Sequence, residues 1–152
     1  MPSYRIADEP APSGLSHLAV NPIWPLFAIM FGGAWLSWPW FVVNAWAMGS
    51  PSRRLEAGLA VLGFVGNVLI TLLVLVLIGT GTLPEWTVSY LLILFSGWKL
   101  GISYWLFVRQ GRTFGLFEYY GGKARNGLPV VAVGFLVRGW IGFPPLAVLV
   151  LG

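Results

Sequence analysis

The chain alternates long apolar runs with short polar segments. Four runs stand out, and they cover about residues 22–48, 55–78, 86–108 and 129–151. A helix needs about 20 apolar residues to cross the hydrocarbon core of a bilayer, and each run meets that length. The pattern predicts an all-α, polytopic integral membrane protein with about four transmembrane helices. These form a single helical domain over residues 22–152, behind a polar N-terminal tail over residues 1–21.

Prolines mark two places where the runs depart from a straight helix. Pro39 lies inside the first run and removes a backbone donor, so a kink is expected there. Pro144 and Pro145 lie near the end of the fourth run. They would stop that helix at about Phe143, so the fourth run is predicted either to span the bilayer or to re-enter it.

The composition agrees with a membrane location and excludes several classes of function. Hydrophobic residues make up 57% of the chain and charged residues 9%, whereas a soluble domain has about 25% charged residues. A soluble enzyme or a nucleic-acid-binding protein is therefore not expected, although the net charge is +4. The absence of cysteine removes disulfides, thiolate catalysis and iron–sulfur clusters.

Basic residues are concentrated in two of the segments between the runs, residues 50–56 and 109–127. They are Arg53, Arg54, Arg109, Arg112, Lys123 and Arg125. Because basic loops stay in the cytoplasm, four spans would place both segments there and both termini on the non-cytoplasmic side of a bacterial-type cytoplasmic membrane. Residues 109–128 combine aromatic and basic side chains, so they are expected to form a loop at the membrane surface.

Two cations lie deep inside apolar runs. Lys99 and Arg138 are each about 15 Å from a helix end, close to the middle of a bilayer. Neither cation has an acidic residue in its own run, and a mid-bilayer cation costs about 2.5–3.5 kcal/mol on insertion scales. Three resolutions remain open: the side chains snorkel, they meet an acid on another subunit, or they bind an anion or lipid phosphate. Ser96 and Ser103 share a polar stripe with Lys99 and belong to the same candidate contact site.

Small and polar residues form one stripe on each predicted helix. This pattern is typical of faces that pack against protein instead of lipid. The candidate packing residues are Gly33, Ser37, Asn44, Gly63, Asn67, Gly97, Gly101, Gly134 and Gly142.

The sequence contains no recognisable catalytic or metal-binding motif and names no cofactor. No histidine lies in any run, which is unfavourable for a haem or chlorophyll site. Trp35, Trp38 and Trp40 fill gaps around Pro39 or, alternatively, line a cleft for a quinone, pigment or sterol.

The predicted role is that of a non-catalytic accessory or structural subunit of a larger membrane complex or a homo-oligomer. Its small-residue faces and intramembrane Lys99 and Arg138 would contact partner subunits or anionic lipid. One alternative is a small transporter or channel subunit for an anion or small molecule. A further alternative is a lipid-handling membrane enzyme that uses the loop over residues 109–128.

Overall fold

The computed structural model of the chain describes residue 10 and residues 13–82 and 84–141. A short 3-10 turn over Ser16–Leu18 precedes the α-helices. These are α1 (Ile23–Phe31), α2 (Ala34–Ala47), α3 (Arg53–Gly79), α4 (Glu85–Tyr119) and α5 (Leu128–Ile141). The all-α prediction is confirmed, since the described residues hold no strand beyond an isolated bridge between Val20 and Arg125.

The first apolar run folds back on itself instead of forming one helix. α1 ends at Phe31 and α2 begins at Ala34, and Gly33 between them has a φ of 102°. That value lies in the left-handed region, which glycine adopts without the steric penalty of a side chain. The break therefore falls at Gly33 and its neighbour Gly32, whereas Pro39, where a kink was expected, lies inside α2 without ending it.

Hydrogen bonds between distant residues show that α1 and α2 run antiparallel. The Ser37 hydroxyl donates to the Pro25 carbonyl at 2.8 Å, and the Val20 N–H donates to Asn44 Oδ1 at 2.9 Å. The start of α1 and the end of α2 thus lie at the same end of the bundle. The two helices rise about 14 and 21 Å, so neither reaches the roughly 30 Å of a bilayer core.

α3 corresponds closely to the second predicted run. It has 27 residues, and its most apolar stretch has a mean hydropathy of 2.8. Among the described helices, it is the one whose length and composition suffice to cross a membrane. Large apolar side chains point outward from it, since Val61 and Val76 are 60% and 61% exposed. Its buried residues include small and polar ones, among them Gly63, Asn67 and Thr71.

α4 extends well past the third predicted run, which was expected to end at residue 108. It has 35 residues, a length of about 52 Å. Residues 109–119, expected to belong to a surface loop, continue the helix because Phe114 and Phe117 pack against the end of α2. This packing outweighs the two glycines in the stretch, which each weaken a helix by roughly 1 kcal/mol.

The main apolar core lies where the first four helices meet. It consists of Ile29, Ala34, Trp38, Phe41, Leu59, Ala60, Ile102 and Leu106. Trp38 on α2 connects to both long helices: its ring meets Phe64 edge-on with centroids 4.8 Å apart, and its Nε1 donates to Ser103 Oγ at 3.0 Å. A Cβ at Gly63 would lie 3.0 Å from the Trp38 ring, so glycine there allows α2 and α3 to approach closely.

α5 packs beside the hairpin of α1 and α2. The Leu128 N–H donates to Asn126 Oδ1 at 2.9 Å, an Asx turn that starts the helix. Gly134 lies against Leu36, and a side chain at residue 134 would collide with that leucine. The rest of the fourth predicted run, including Gly142, lies outside the described residues.

The turns gather basic residues at one end of the bundle, which we call the basic end. The Arg125 N–H donates to the Ala19 carbonyl at 2.8 Å, so the turn between α4 and α5 meets the segment before α1. The turn between α2 and α3 lies at the same end, and Arg53 and Arg54 follow it directly as the first residues of α3. The turn between α3 and α4, residues 80–84, lies at the opposite end, and its sequence contains no basic residue.

Candidate functional site

A network of buried polar side chains closes the basic end. Its centre is Gln110 on α4, whose Nε2 donates to the Phe41 carbonyl at 2.6 Å and to Glu56 Oε2 at 2.8 Å. Gln110 Oε1 accepts a hydrogen bond from Asn44 Nδ2 at 3.0 Å. The three polar side chains are fully buried. Because Asn44 Oδ1 accepts from the Val20 N–H, the network also holds the segment before α1.

The Glu56 carboxylate accepts hydrogen bonds from three side chains. The hydroxyls of Ser50 and Ser52 donate to Oε1 at 2.7 and 2.6 Å, and Gln110 donates to the other oxygen. These bonds offset the free-energy cost of removing a carboxyl group from water. Since Glu56 has no exposed surface, we assign the network a structural role.

The sequence interpretation missed this network. It counted Glu56 with the basic segment before the second run and placed Gln110 in a surface loop. A signal is nevertheless present, because Ser96, Ser103 and Gln110 recur every seven residues and therefore share one face of a continuous helix. Extending the polar stripe by one heptad identifies Gln110 as a residue that faces a neighbouring helix.

Lys99 and Arg138 come together in one pocket formed by α1, α4 and α5. The pocket has a volume of about 310 Å³, and its described lining residues are Ile29, Met30, Ser96, Lys99, Leu100 and Arg138. The two cations come from helices that are far apart in the sequence, and none of the described lining residues is acidic. Two like charges at one pocket create a positive potential, which favours an anionic ligand.

The surroundings of Lys99 give this pocket an apolar frame. Lys99 Nζ lies 5.1 Å from the centroid of the Phe95 ring, within the range of a cation–π contact, and the lysine is 9% exposed. Met30 and Leu100 at the rim are 61% and 44% exposed. The pocket therefore opens sideways onto an apolar part of the bundle surface.

The pocket lies near the middle of the bundle. Lys99 is ten residues from Arg109 at the basic end and fourteen residues from the start of α4 at Glu85. At 1.5 Å per residue, these separations are about 15 and 21 Å. An anion at this pocket would thus be far from both ends of the bundle.

The residues predicted to contact a partner, anion or lipid fall into two environments. Lys99, Arg138 and Ser96 line the pocket, and Ser96 is exposed there. Ser103 is fully buried in the core, where it accepts the hydrogen bond from Trp38. The structure therefore brings three of the four predicted residues together.

A larger cleft lies at the basic end, between the start of α3 and α4. Its volume is about 520 Å³, and its described lining residues are Pro51, Ser52, Trp105, Val108, Arg109, Arg112, Thr113 and Leu116. Arg109 and Arg112, which were expected in an interfacial loop, instead project from one helix into this cleft. Lys123 and Arg125 are exposed in the turn before α5 and are not among the lining residues.

The predicted packing residues divide into an inner and an outer group. The inner group is buried at the hairpin turn, in the network or at close helix contacts; it consists of Gly33, Ser37, Asn44, Gly63, Asn67 and Gly134. Gly97 and Gly101 form the outer group, since no described atom lies within 4 Å of a Cβ built at either residue. These two glycines therefore face away from the described helices of this chain, and their contact with a partner subunit stays a prediction.

The described residues contain no group of three or more His, Asp or Glu side chains arranged to hold a metal ion. Comparison of the chain with protein-family models, with curated proteins and with solved structures finds no match. Functional inference for this protein therefore rests on the two charged clefts and on the distribution of polar and apolar surface.

Proposed function

We propose that the protein is a polytopic membrane protein in which α3 and α4 cross the bilayer. The supporting observation is that large apolar side chains lie on the outside of the bundle and polar side chains on the inside, the reverse of a water-soluble protein. Large apolar residues such as Val61, Leu69 and Ile93 are at least 60% exposed, whereas Asn44 and Gln110 have no exposed surface. In water this arrangement would expose a large apolar patch, which soluble monomers avoid. In lipid, the outer surface meets hydrocarbon and the polar groups are satisfied inside the protein.

The proposed topology differs from four straight spans in its first segment. The hairpin of α1 and α2 enters and leaves at the basic end, so we treat it as a re-entrant segment. Because basic segments remain in the cytoplasm, the segment before α1 lies on the cytoplasmic side in this arrangement. The sequence interpretation had placed the N-terminus on the other side, because it assumed that the first run crosses once.

Single-cysteine labelling tests this topology cleanly, since the chain has no cysteine of its own. Ser16→Cys, Lys123→Cys and Thr80→Cys each place a thiol at an exposed position. With a membrane-impermeant thiol reagent on intact cells, we expect labelling of the variant at residue 80 alone. The other two should react only after permeabilisation. Labelling of residues 16 and 80 from the same side would show that the first run crosses the membrane and would overturn the re-entrant hairpin.

Within that membrane protein, we propose the role of a non-catalytic subunit of a larger complex. The observation that carries this proposal is the convergence of Lys99 and Arg138 on one pocket that opens sideways through Met30 and Leu100. Two cations that converge on one pocket repel each other, and a negative group beside them offsets that repulsion. A carboxylate on a transmembrane helix of a partner protein has the charge and the depth that fit the pocket.

The depth of the pocket favours a partner helix over a lipid phosphate. Phosphate groups lie at the bilayer surfaces, about 15 Å from the middle of the core. The chain's own described acids also lie at the ends of the bundle: Glu56 and Glu118 at the basic end, and the backbone of Glu85 at the opposite end. A second copy of the described bundle therefore cannot supply a carboxylate at this depth, and we infer a different protein as partner.

Co-purification from the native membrane tests the subunit role. Lys99→Leu and Arg138→Leu should each abolish recovery of the partner while the variant still inserts. Arg54→Leu removes a cation that is exposed at the basic end and serves as the matched control; it should leave recovery unchanged. Asp8→Asn with Glu9→Gln tests the acids of the N-terminal tail and should also have no effect.

Three outcomes would contradict the subunit role. Normal assembly of both pocket variants would exclude the pocket as a contact. Loss of the partner in the tail variant would point to an acid of this chain as the group that meets the cations. Anion flux through purified protein in liposomes, altered by Lys99→Gln, would favour the alternative of a transporter or channel subunit.

A further inference from the structure

The cleft at the basic end is a second cationic site, separate from the pocket of Lys99 and Arg138. One wall is a stripe along α4 in which Trp105, Arg109 and Arg112 follow one another at helical spacing. Pro51 and Ser52, which immediately precede α3, supply the facing wall. The cleft has a volume of about 520 Å³ and is larger than the pocket of Lys99 and Arg138, which has a volume of about 310 Å³ and which we call the mid-depth pocket.

The guanidinium groups of this cleft include a donor that no described residue satisfies. Arg109 Nε is buried and has no hydrogen-bond partner among the described residues. Arg112 is exposed at the same wall. A guanidinium group is planar and presents its donors in a fork, which matches the oxygens of a phosphate better than an ammonium group does.

The start of α3 faces the cleft through Ser52, and the Glu56 carboxylate in the same first turn partly offsets its positive charge. The first N–H groups of a helix carry a partial positive charge that favours anions. Ser52 stands at the N-cap position, but no side-chain cap bond is formed there, since its hydroxyl donates to Glu56. The Glu56 carboxylate is fully buried within the network and is not among the described lining residues.

The position of the cleft matches the headgroup level of a bilayer. This step rests on the membrane placement proposed above. Arg109 lies ten residues from Lys99, or about 15 Å along α4, which is half the thickness of a hydrocarbon core. Trp105, one turn nearer the middle, is 50% exposed, as is typical of an aromatic side chain at the interface. Val108 and Leu116 supply apolar surface at the same wall.

We propose that this cleft binds the phosphate of an anionic phospholipid headgroup. Arg109 and Arg112 would hold the phosphate oxygens, and the start of α3 would face the same group. Trp105 and Val108 would contact the glycerol and the upper part of the acyl chains. A free phosphate ion shares the charge but not this apolar contact, so the lipid is the occupant to which the geometry points.

Lipid titration of the purified protein in micelles tests this site, with native mass spectrometry as the measurement. The probe is phosphatidylglycerol, and phosphatidylcholine is the neutral comparison lipid. The double variant Arg109→Gln with Arg112→Gln should weaken phosphatidylglycerol binding by about tenfold or more, because two charge-assisted contacts are lost. Arg53→Gln with Arg54→Gln removes the same charge at the same end but not from the cleft, and it should change binding by less than about threefold.

Two results would overturn the proposal. Equal weakening in the two double variants would show that the lipid responds only to the general charge of the basic end. Displacement of the lipid by millimolar inorganic phosphate would show that the cleft is a site for a free anion. If Arg109→Gln with Arg112→Gln lowers the unfolding temperature, Arg109→Lys with Arg112→Lys replaces it; this variant keeps the charge, removes the fork and should still weaken binding.

The experiments distinguish an incorrect lipid site from an incorrect proposal of the subunit role. Co-purification of the partner depends on Lys99 and Arg138, which the cleft variants leave intact. Cysteine labelling tests the membrane placement without reference to either cleft. If the lipid titration shows no selectivity while co-purification and cysteine labelling give the expected results, only the headgroup site is rejected.

Discussion

The bundle contains two polar regions of opposite character. At the basic end, Gln110, Asn44 and Glu56 satisfy one another and are fully buried. At mid-depth, Lys99 and Arg138 bring charges of the same sign to one open pocket. The first region has matched donors and acceptors from α2, α3 and α4, whereas the second combines two cations in an apolar frame.

This difference separates the polar groups that hold the fold from the two cations that we propose face a partner. A buried network in which every member is bonded makes one arrangement of the helices favourable, and removal of one member leaves the others unpaired. The two convergent cations instead repel each other. A negative group from a partner would offset that repulsion, which is why we propose this pocket as a binding surface.

Gln110→Leu should have the largest effect on stability, because it breaks the first region at its centre. The substitution leaves Asn44, the Phe41 carbonyl and one oxygen of Glu56 without their partner. At about 1–3 kcal/mol for each buried polar group, the free energy of unfolding should fall by at least about 3 kcal/mol. Denaturant unfolding in micelles measures the change. Glu118→Gln, on the exposed surface of the same helix, should stay within about 0.5 kcal/mol of the parent protein.

Gly134→Leu should disrupt the pocket of Lys99 and Arg138 and leave the buried network around Gln110 intact. The new side chain would collide with Leu36 and push α5, which carries Arg138, away from the hairpin. Overpacking of this kind lowers stability by about 1–3 kcal/mol, and partner recovery should be lost as well. Gly139→Ala, where a Cβ meets open space, is the control and should be tolerated. Adding Leu36→Ala to Gly134→Leu should restore part of the loss; no restoration would argue against this helix contact.

Trp38→Phe should have a smaller effect, because it removes one hydrogen bond from the core that lies between the two regions. The Ser103 hydroxyl loses the indole donor, and part of the ring volume is lost with it. We expect the free energy of unfolding to fall by about 1–2 kcal/mol. Trp38→Phe combined with Ser103→Ala should cost little more than Trp38→Phe alone. Fully additive losses would contradict the direct bond.

Lys99→Leu should have the smallest effect on the isolated protein. The substitution removes the repulsion between two like charges together with the contact of Lys99 with the Phe95 ring. Because these two effects oppose each other, we expect the free energy of unfolding to change by less than about 1 kcal/mol in either direction. A loss of more than about 2 kcal/mol in the absence of partner would show that Lys99 holds the fold, and the contrast between the two regions would fail.

Hydropathy predicted the outline of the fold, because runs of about 20 apolar residues leave few alternatives. The second run became α3 and the third lies inside α4. The charge pattern singled out Lys99 and Arg138, whereas their convergence on one pocket follows from the packing of the helices.

The hairpin could not be predicted from hydropathy. A run of about 27 apolar residues suits one long helix or two short ones, and both give the same composition. The choice depends on bonds between distant residues, such as Val20 with Asn44 and Ser37 with Pro25. The local interpretation of Pro39 as a kink therefore did not identify the turn, which lies at Gly33.

The buried network escaped prediction for a related reason. Glu56 and Gln110 each lie close to an arginine in the sequence, so the local charge suggested exposed loops. Both side chains are buried because they bond to residues on other helices, and the two residues themselves are 54 positions apart in the chain. The local signal of this burial was the seven-residue spacing of Ser96, Ser103 and Gln110 along α4.

Site-specific photo-crosslinking from the rim of the pocket of Lys99 and Arg138 tests whether a partner protein supplies the carboxylate that meets the two cations. A photoreactive amino acid at Met30, in native membranes, should form an adduct with one partner protein. The crosslinked peptide should lie in an apolar segment that contains an Asp or Glu, and the adduct should disappear with Lys99→Leu. The same group at Val61 on α3 should not form it. Lipid adducts alone at Met30, or a protein adduct that persists with Lys99→Leu, would contradict the assignment of this pocket to a partner's carboxylate.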